Sequence, residues 1–157
     1  MVPELQGLAL MFRSTHALVH RSLEGLTPEQ ALARPGGANP ILWIAAHVVS
    51  VRAGFATGIG PHVALPWAKQ FPRGGEVGGV TDWPSLAEVR ARWDEVHAAF
   101  MAALERLTAA ERAAPTPIPG LDRTLLGAIA LAALHDSYHV GQLAAARRTH
   151  GLDRIVG

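Results

Sequence analysis

Apolar residues recur at three- and four-residue steps along most of the chain, and the steps break at glycine and proline. From Leu5 the positions Leu8, Phe12, Val19, Leu23 and Leu26 fall on one stripe. This predicts a helix over about residues 3 to 24, with Gly25 as a left-handed stop. Thr27 and Gln30 then form a capping box with Pro28 at the first helical position, opening a short turn that Arg34-Pro35-Gly36-Gly37 closes. Asn39-Pro40 repeats the cap-plus-proline arrangement before ILWIAAHVVSVRAGF, a second long helix ending near Gly58. Residues 58 to 84 are rich in Gly and Pro and lack a period. A connection of that length in a small domain is usually functional or a crossover. Ser85 and Glu88 form another capping box, and Val89, Trp93, Val96, Phe100 and Leu104 carry a third long helix to about Leu107. Thr108 and Glu111 predict a brief capped turn before APTPIPG, and the last helix opens near Asp122 or Thr124 and runs to His150, with Gly151 just past it.

Four helices of five to seven turns, one long connection and no strand pattern predict an all-α protein, a four-helix bundle. The 157 residues suffice for one domain with one core, so a single domain over 1–157 is expected. Hydrophobic residues make up 49% and charged residues 17%, a globular composition, and no apolar run reaches the roughly 18 residues of a membrane span. The opening MVPELQGLALMFR has neither the basic start nor the cleavage site of a signal peptide, so a cytoplasmic protein is expected. The net charge is +1 and the basic residues are dispersed, which offers no footprint for nucleic acid. There is no cysteine, so any metal must be held by His, Asp or Glu. That directs attention to the eight histidines.

In LHDSYHVGQL, His135 and His139 lie four apart on the last helix and so project from one face, with Leu131 below and Gln142 above. Such a pair occurs by chance in a histidine-rich chain. His47 alters the weighting, because it sits mid-helix in ILWIAAHVV among apolar residues. If the second and last helices are neighbours, three imidazoles meet in an apolar interior. Protonated they repel one another, and neutral they leave acceptors unpaired. A divalent cation resolves the conflict, since neutral imidazole is a ligand for Zn, Ni, Fe or Cu and bundle cores build metal sites from facing helices.

With His47 in WIAAHVV and His135, His139, Gly141 and Gln142 in HDSYHVGQL, the chain resembles the DinB/YfiT-like superfamily of small four-helix bundles. The resemblance extends to element order and length over nearly the whole chain. It implies an up-down-down-up connectivity, with residues 58 to 84 as the crossover between the second and third long helices. It also implies a homodimer and a divalent metal on His47, His135 and His139, nickel or zinc first and iron or manganese as alternatives. The family frequently has Arg after the second histidine of the last helix; Val140 stands there, so that residue's anion-binding role does not carry over.

Three neutral ligands leave the full charge on the ion and coordination positions open, the arrangement of catalytic rather than structural sites. Characterised relatives include metal-dependent thiol transferases and isomerases using bacillithiol, mycothiol or glutathione. The resemblance therefore implies transfer of a low-molecular-weight, bacillithiol-like thiol to a small-molecule electrophile. Two alternatives stand beside it: a metal-dependent hydrolase, and a non-catalytic metal-binding protein of the stress or DNA-damage response that acts through a dimer. Gln142 is placed to orient a bound water or a ligand histidine, or to cap a backbone group. Asp136 falls about 100° from the ligand face and is expected to pair with an arginine of another helix or subunit, not to act as a protease base. His16 and His20 form a rival pair on the first helix: His16 lies on the apolar stripe and is expected at a pocket wall or in solvent, and His20 on the polar side with Arg13. His62 and His97 are expected to be surface or structural, and Trp43 and Trp93 to be core.

Overall fold

Three capping boxes fix where helices begin. In each of them a Thr or Ser hydroxyl accepts the amide three residues on, and a Gln or Glu side chain reaches back to the cap amide: Thr27 with Gln30, Ser85 with Glu88, and Thr108 with Glu111. The computed structural model describes residues 1–67, 69–72, 75 and 77–156. Its helices are α1 (Pro3–Leu23), α2 (Pro28–Leu32), α3 (Ile41–Ile59), α4 (Leu86–Arg106), α5 (Ala109–Ala113) and α6 (Leu125–Thr149). Among the described residues there is no strand, only a single antiparallel bridge between Pro115 and Thr124. The protein is all-helical, with α2 and α5 occupying the places where capped turns were expected.

Gly25 and Gly151, at φ 70° and 73°, end α1 and α6 in the left-handed conformation. Thr124 rather than Asp122 caps α6, its hydroxyl accepting the Gly127 amide, while Asp122 Oδ1 accepts from the Thr124 amide and hydroxyl. The start of α3 departs from expectation. Pro40 is itself the N-cap, with ψ 148°, and no side chain caps the helix. The extended Pro40 pushes the first helical residue to Ile41, which takes the free amides beyond Asn39.

α3 is the central element. Its first nine residues, Ile41 to Val49, are all buried. By length and composition α3 would cross a membrane, yet most of it is buried inside the protein, as befits a helix apolar all round. One part of the core gathers Val19, Leu23, Trp43, Val48, Trp93 and Leu143; another gathers Phe12, Phe55, Phe100, Leu104 and Ile129. Phe12 of α1 meets Phe100 of α4 edge to face at 4.7 Å. On α6, the alanines 128, 132 and 133 are buried and small enough for close helix approach.

Part of the connection after α3, residues 68, 73, 74 and 76, lies outside the described residues. The rest is anchored by two aromatic side chains. Trp67 is 5% exposed and Phe71 fully buried, and the Phe71 ring packs edge-on against Trp43 and Trp83. This anchoring brings the Phe71 backbone to α3, where it meets a functional side chain.

Candidate metal centre

His47 projects from the middle of α3 toward α6, and His135 and His139 project from α6 one turn apart. The three ring centroids are 5.2 Å apart for His47–His135, 4.8 Å for His47–His139 and 4.4 Å for His135–His139. One ligand nitrogen from each lies within 4.8 Å of the other two, so the group can hold a metal ion. His47 and His139 are buried, and His135 keeps 15% of its side chain in solvent. Among the described residues the cluster is thus most open to solvent at His135.

The Nδ1 atoms of His47 and His139 are hydrogen-bonded from behind. His47 Nδ1 lies 3.0 Å from the Phe71 carbonyl oxygen, which can only accept, so the proton sits on Nδ1 and Nε2 presents its lone pair. His139 Nδ1 donates to Gln142 Oε1 at 2.7 Å, and Gln142 Nε2 donates in turn to the Tyr138 hydroxyl at 3.0 Å. His135 Nδ1 lies 3.5 Å from Asp136 Oδ1. Such outer partners fix the ring orientation and tautomer of metal-binding histidines. Trp43 stacks on the His47 ring at 5.1 Å with 11° between planes, closing its other side. The Gln142 side chain thus meets the His139 ring and the Tyr138 hydroxyl.

The donor set fits a divalent ion. His47 Nε2 and His135 Nε2 are 3.2 Å apart, close to the separation of two imidazoles on one ion with bonds of about 2.0–2.1 Å. Burial, and to a lesser degree the neighbouring His47, lowers the pKa of His139 despite the opposing hydrogen bond to Gln142. The ring is thereby kept neutral, the form that ligates.

Behind the cluster lies a buried ion pair. Arg52 Nη2 donates to Asp136 Oδ2, with both side chains at most 1% exposed. This is the arginine of another helix expected for Asp136. The guanidinium also lies over three rings, Phe12 at 4.3 Å, Trp93 at 4.8 Å and Phe100 at 5.0 Å. Burial pushes the Arg52 pKa down to about 9, which leaves it charged at neutral pH. Two clefts lie nearby, and one of them opens at His135. One, of about 310 Å³, is lined by Val51, Gly54, Phe55, Ile118, Leu131 and His135 and is almost wholly apolar. The other, about 510 Å³, is bordered by Asn39, Ile44, Gln142 and Thr149 and is more polar.

The rival pair does not join this centre. His16 and His20 both turn their Nε2 atoms to Asp94 on α4, each 2.8 Å from Oδ1. His20 is thus directed at α4 rather than standing with Arg13 in solvent, because α4 supplies a carboxylate at the edge of the α1 stripe. His97 is half-buried and stacked on His16, which fits its structural reading, and His62 is exposed beside Thr57. Trp43 and Trp93 are core residues as expected. Arg52, Asp94 and the Phe71 carbonyl were not foreseen as parts of these clusters. The isolated arginine inside an otherwise apolar helix was the one available signal, for Arg52.

A family model described as DinB superfamily matches residues 11–143. The chain belongs to the DinB superfamily. No curated protein and no solved structure shows a significant match to it.

Proposed function

Starting from a DinB-superfamily chain with three converging imidazoles, we propose a metal-dependent thiol S-transferase. In this reading His47, His135 and His139 hold a divalent ion, nickel or zinc before iron or manganese, and a bacillithiol-like low-molecular-weight thiol is transferred to an electrophile. The observation that carries the reading is the convergence of three imidazole nitrogens beside an apolar cleft. Bound there, a divalent ion lowers the pKa of a coordinated water or thiol.

The protein's own groups do the rest. The Phe71 carbonyl and Gln142 aim the His47 and His139 rings, and Trp43 excludes water from one side of the cluster. The apolar cleft at His135 offers no charged group besides that ring, which suits an uncharged electrophile; the polar cleft past Gln142 suits the thiol's polar portion. In the transfer a sulfur–carbon bond forms and the carbon–leaving-group bond breaks. The leaving group departs with the electron pair, and the thiol proton passes to solvent.

The contacts support the finer topology as well. Phe12 meets Phe100 and His16 meets Trp93, so α1 and α4 run oppositely; His47 meets His139 while Phe55 and Leu131 share a cleft, so α3 and α6 do too. Leu42 and Leu86 line one cleft and Arg52 lies over Trp93, as for parallel α3 and α4. This is a four-helix bundle with up-down-down-up order. The exposed Leu134 and Tyr138, one turn apart on α6, are the face we assign to a homodimer in the cytoplasm. Untagged protein loaded with zinc or nickel is expected to consume chlorodinitrobenzene only when thiol is present, and His47→Ala to abolish it. Consumption without thiol would mean a hydrolase, and none at all would leave a metal-binding protein.

A further inference from the structure

A second constellation of ligand types lies on the opposite side of the core, between α1 and α4. His16 and His20 are one turn apart on α1, and both present Nε2 to a single oxygen of Asp94, at 2.8 Å each. The ligand atoms of the three residues lie within 4.8 Å of one another. Two imidazoles and one carboxylate on neighbouring helices form the donor set that binds first-row divalent metals while leaving positions open. From this placement we infer that His16, His20 and Asp94 form a second divalent-cation site, separate from the three-histidine centre.

The backbone around the site is already fixed. Trp93 Nε1 donates to the His16 carbonyl at 3.2 Å and Arg90 Nη2 to the His20 carbonyl at 3.3 Å, pinning α1 to α4 at both ligand positions. His97 lies flat on His16 at 4.0 Å with 16° between ring planes, and Trp93 flanks the same ring at 5.7 Å. The His16 ring therefore has little freedom to turn away. Asp94 is 58% exposed at its side chain, and the two histidines 23% and 24%, so an ion enters directly from solvent without opening the core. Burial lowers the His16 pKa and keeps the ring neutral, while the hydrogen bonds from His20 and His16 hold Asp94 ionised against its own desolvation. Neutral imidazole and ionised carboxylate are the forms that coordinate.

The inference does not depend on the activity proposed above. Its test is equilibrium dialysis of untagged, EDTA-stripped full-length protein against zinc, read by elemental analysis. The parent chain is expected to bind two ions, and Asp94→Asn and His16→Ala/His20→Ala one each, with unchanged helical circular dichroism. His47→Ala is expected to retain one ion, which Asp94→Asn then removes. Zinc is further expected to shift the ring NMR signals of His16 and His20 in the His47→Ala protein. Equal stoichiometry in the parent and Asp94→Asn, or a single ion lost with His47, would overturn the second site. A single ion lost with Asp94 would instead support it and count against the three-histidine centre.

Discussion

Asp136 grips the buried guanidinium of Arg52 with one carboxylate oxygen and holds the other 3.5 Å from Nδ1 of its chain neighbour His135. The same side chain therefore ties α3 to α6 and faces the back of a ligand ring. Arg52 itself is enclosed by Phe12, Trp93 and Phe100. Removing one partner strands a charge in the core. Asp136→Ala or Arg52→Ala is expected to cost about 3–5 kcal/mol in urea unfolding, and Arg52→Met with Asp136→Leu to recover most of it. A double variant as unstable as the singles would show that the pair is needed for more than mutual neutralisation.

The chain from His139 through Gln142 to Tyr138 has unequal links. Gln142 touches the ligand ring directly, and Tyr138 acts only through Gln142. Gln142→Leu is expected to weaken metal binding by about 10- to 100-fold, and Tyr138→Phe by much less. Competition against a chromogenic chelator ranks the two; equal losses would contradict the order.

Acid is expected to destabilise the metal-free protein through its buried imidazoles. Burial, then the charges of His16 and Arg52, hold His97 at about 4, below its ordinary 6.5, and burial lowers His16 and His139 as well. Below about pH 6.5 the unfolded chain takes up protons that the folded chain refuses, so the stability present at pH 7 is lost progressively down to about pH 4. With allowance for its partial exposure, His97 contributes about 1–2 kcal/mol of that fall. Urea midpoints in EDTA at pH 7.5, 6 and 5 measure it, and His97→Leu should flatten the slope. A parent midpoint that stays level over this range would contradict the assignment.

Gly54 lies in α3 on the wall of the apolar cleft, and a Cβ placed there meets nothing within 4 Å. Gly54→Leu should therefore fill the cleft without disturbing the fold, and relief of a helical glycine stabilises by about 0.5–1 kcal/mol. The expected result is an unchanged metal content with a raised KM for the electrophile. An unaltered KM would place the electrophile elsewhere.

The helices were legible because period and caps agree: Ser85 and Glu88, or Thr108 and Glu111, mark starts that no tertiary contact has to supply. The three-histidine group was legible for a similar reason, since a four-residue spacing on α6 and an imidazole amid apolar neighbours on α3 need only one helix contact to meet. Cross-helix register was not legible. Nothing in ARWDEVHAAF separates Asp94 from Glu95, and only the seating of α4 against α1 sends the former to His16 and His20. The Phe71 carbonyl carries no side-chain signal at all, and Asn39 failed as a cap because Pro40 stayed extended.

We propose that His47, His135 and His139 share one ion. The most direct measurement is an anomalous difference map at the zinc edge from crystals of the untagged, zinc-soaked protein. A peak is expected about 2.0–2.1 Å from a ring nitrogen of each of the three histidines. Fully ordered rings at 47, 135 and 139 with no peak between them would contradict it.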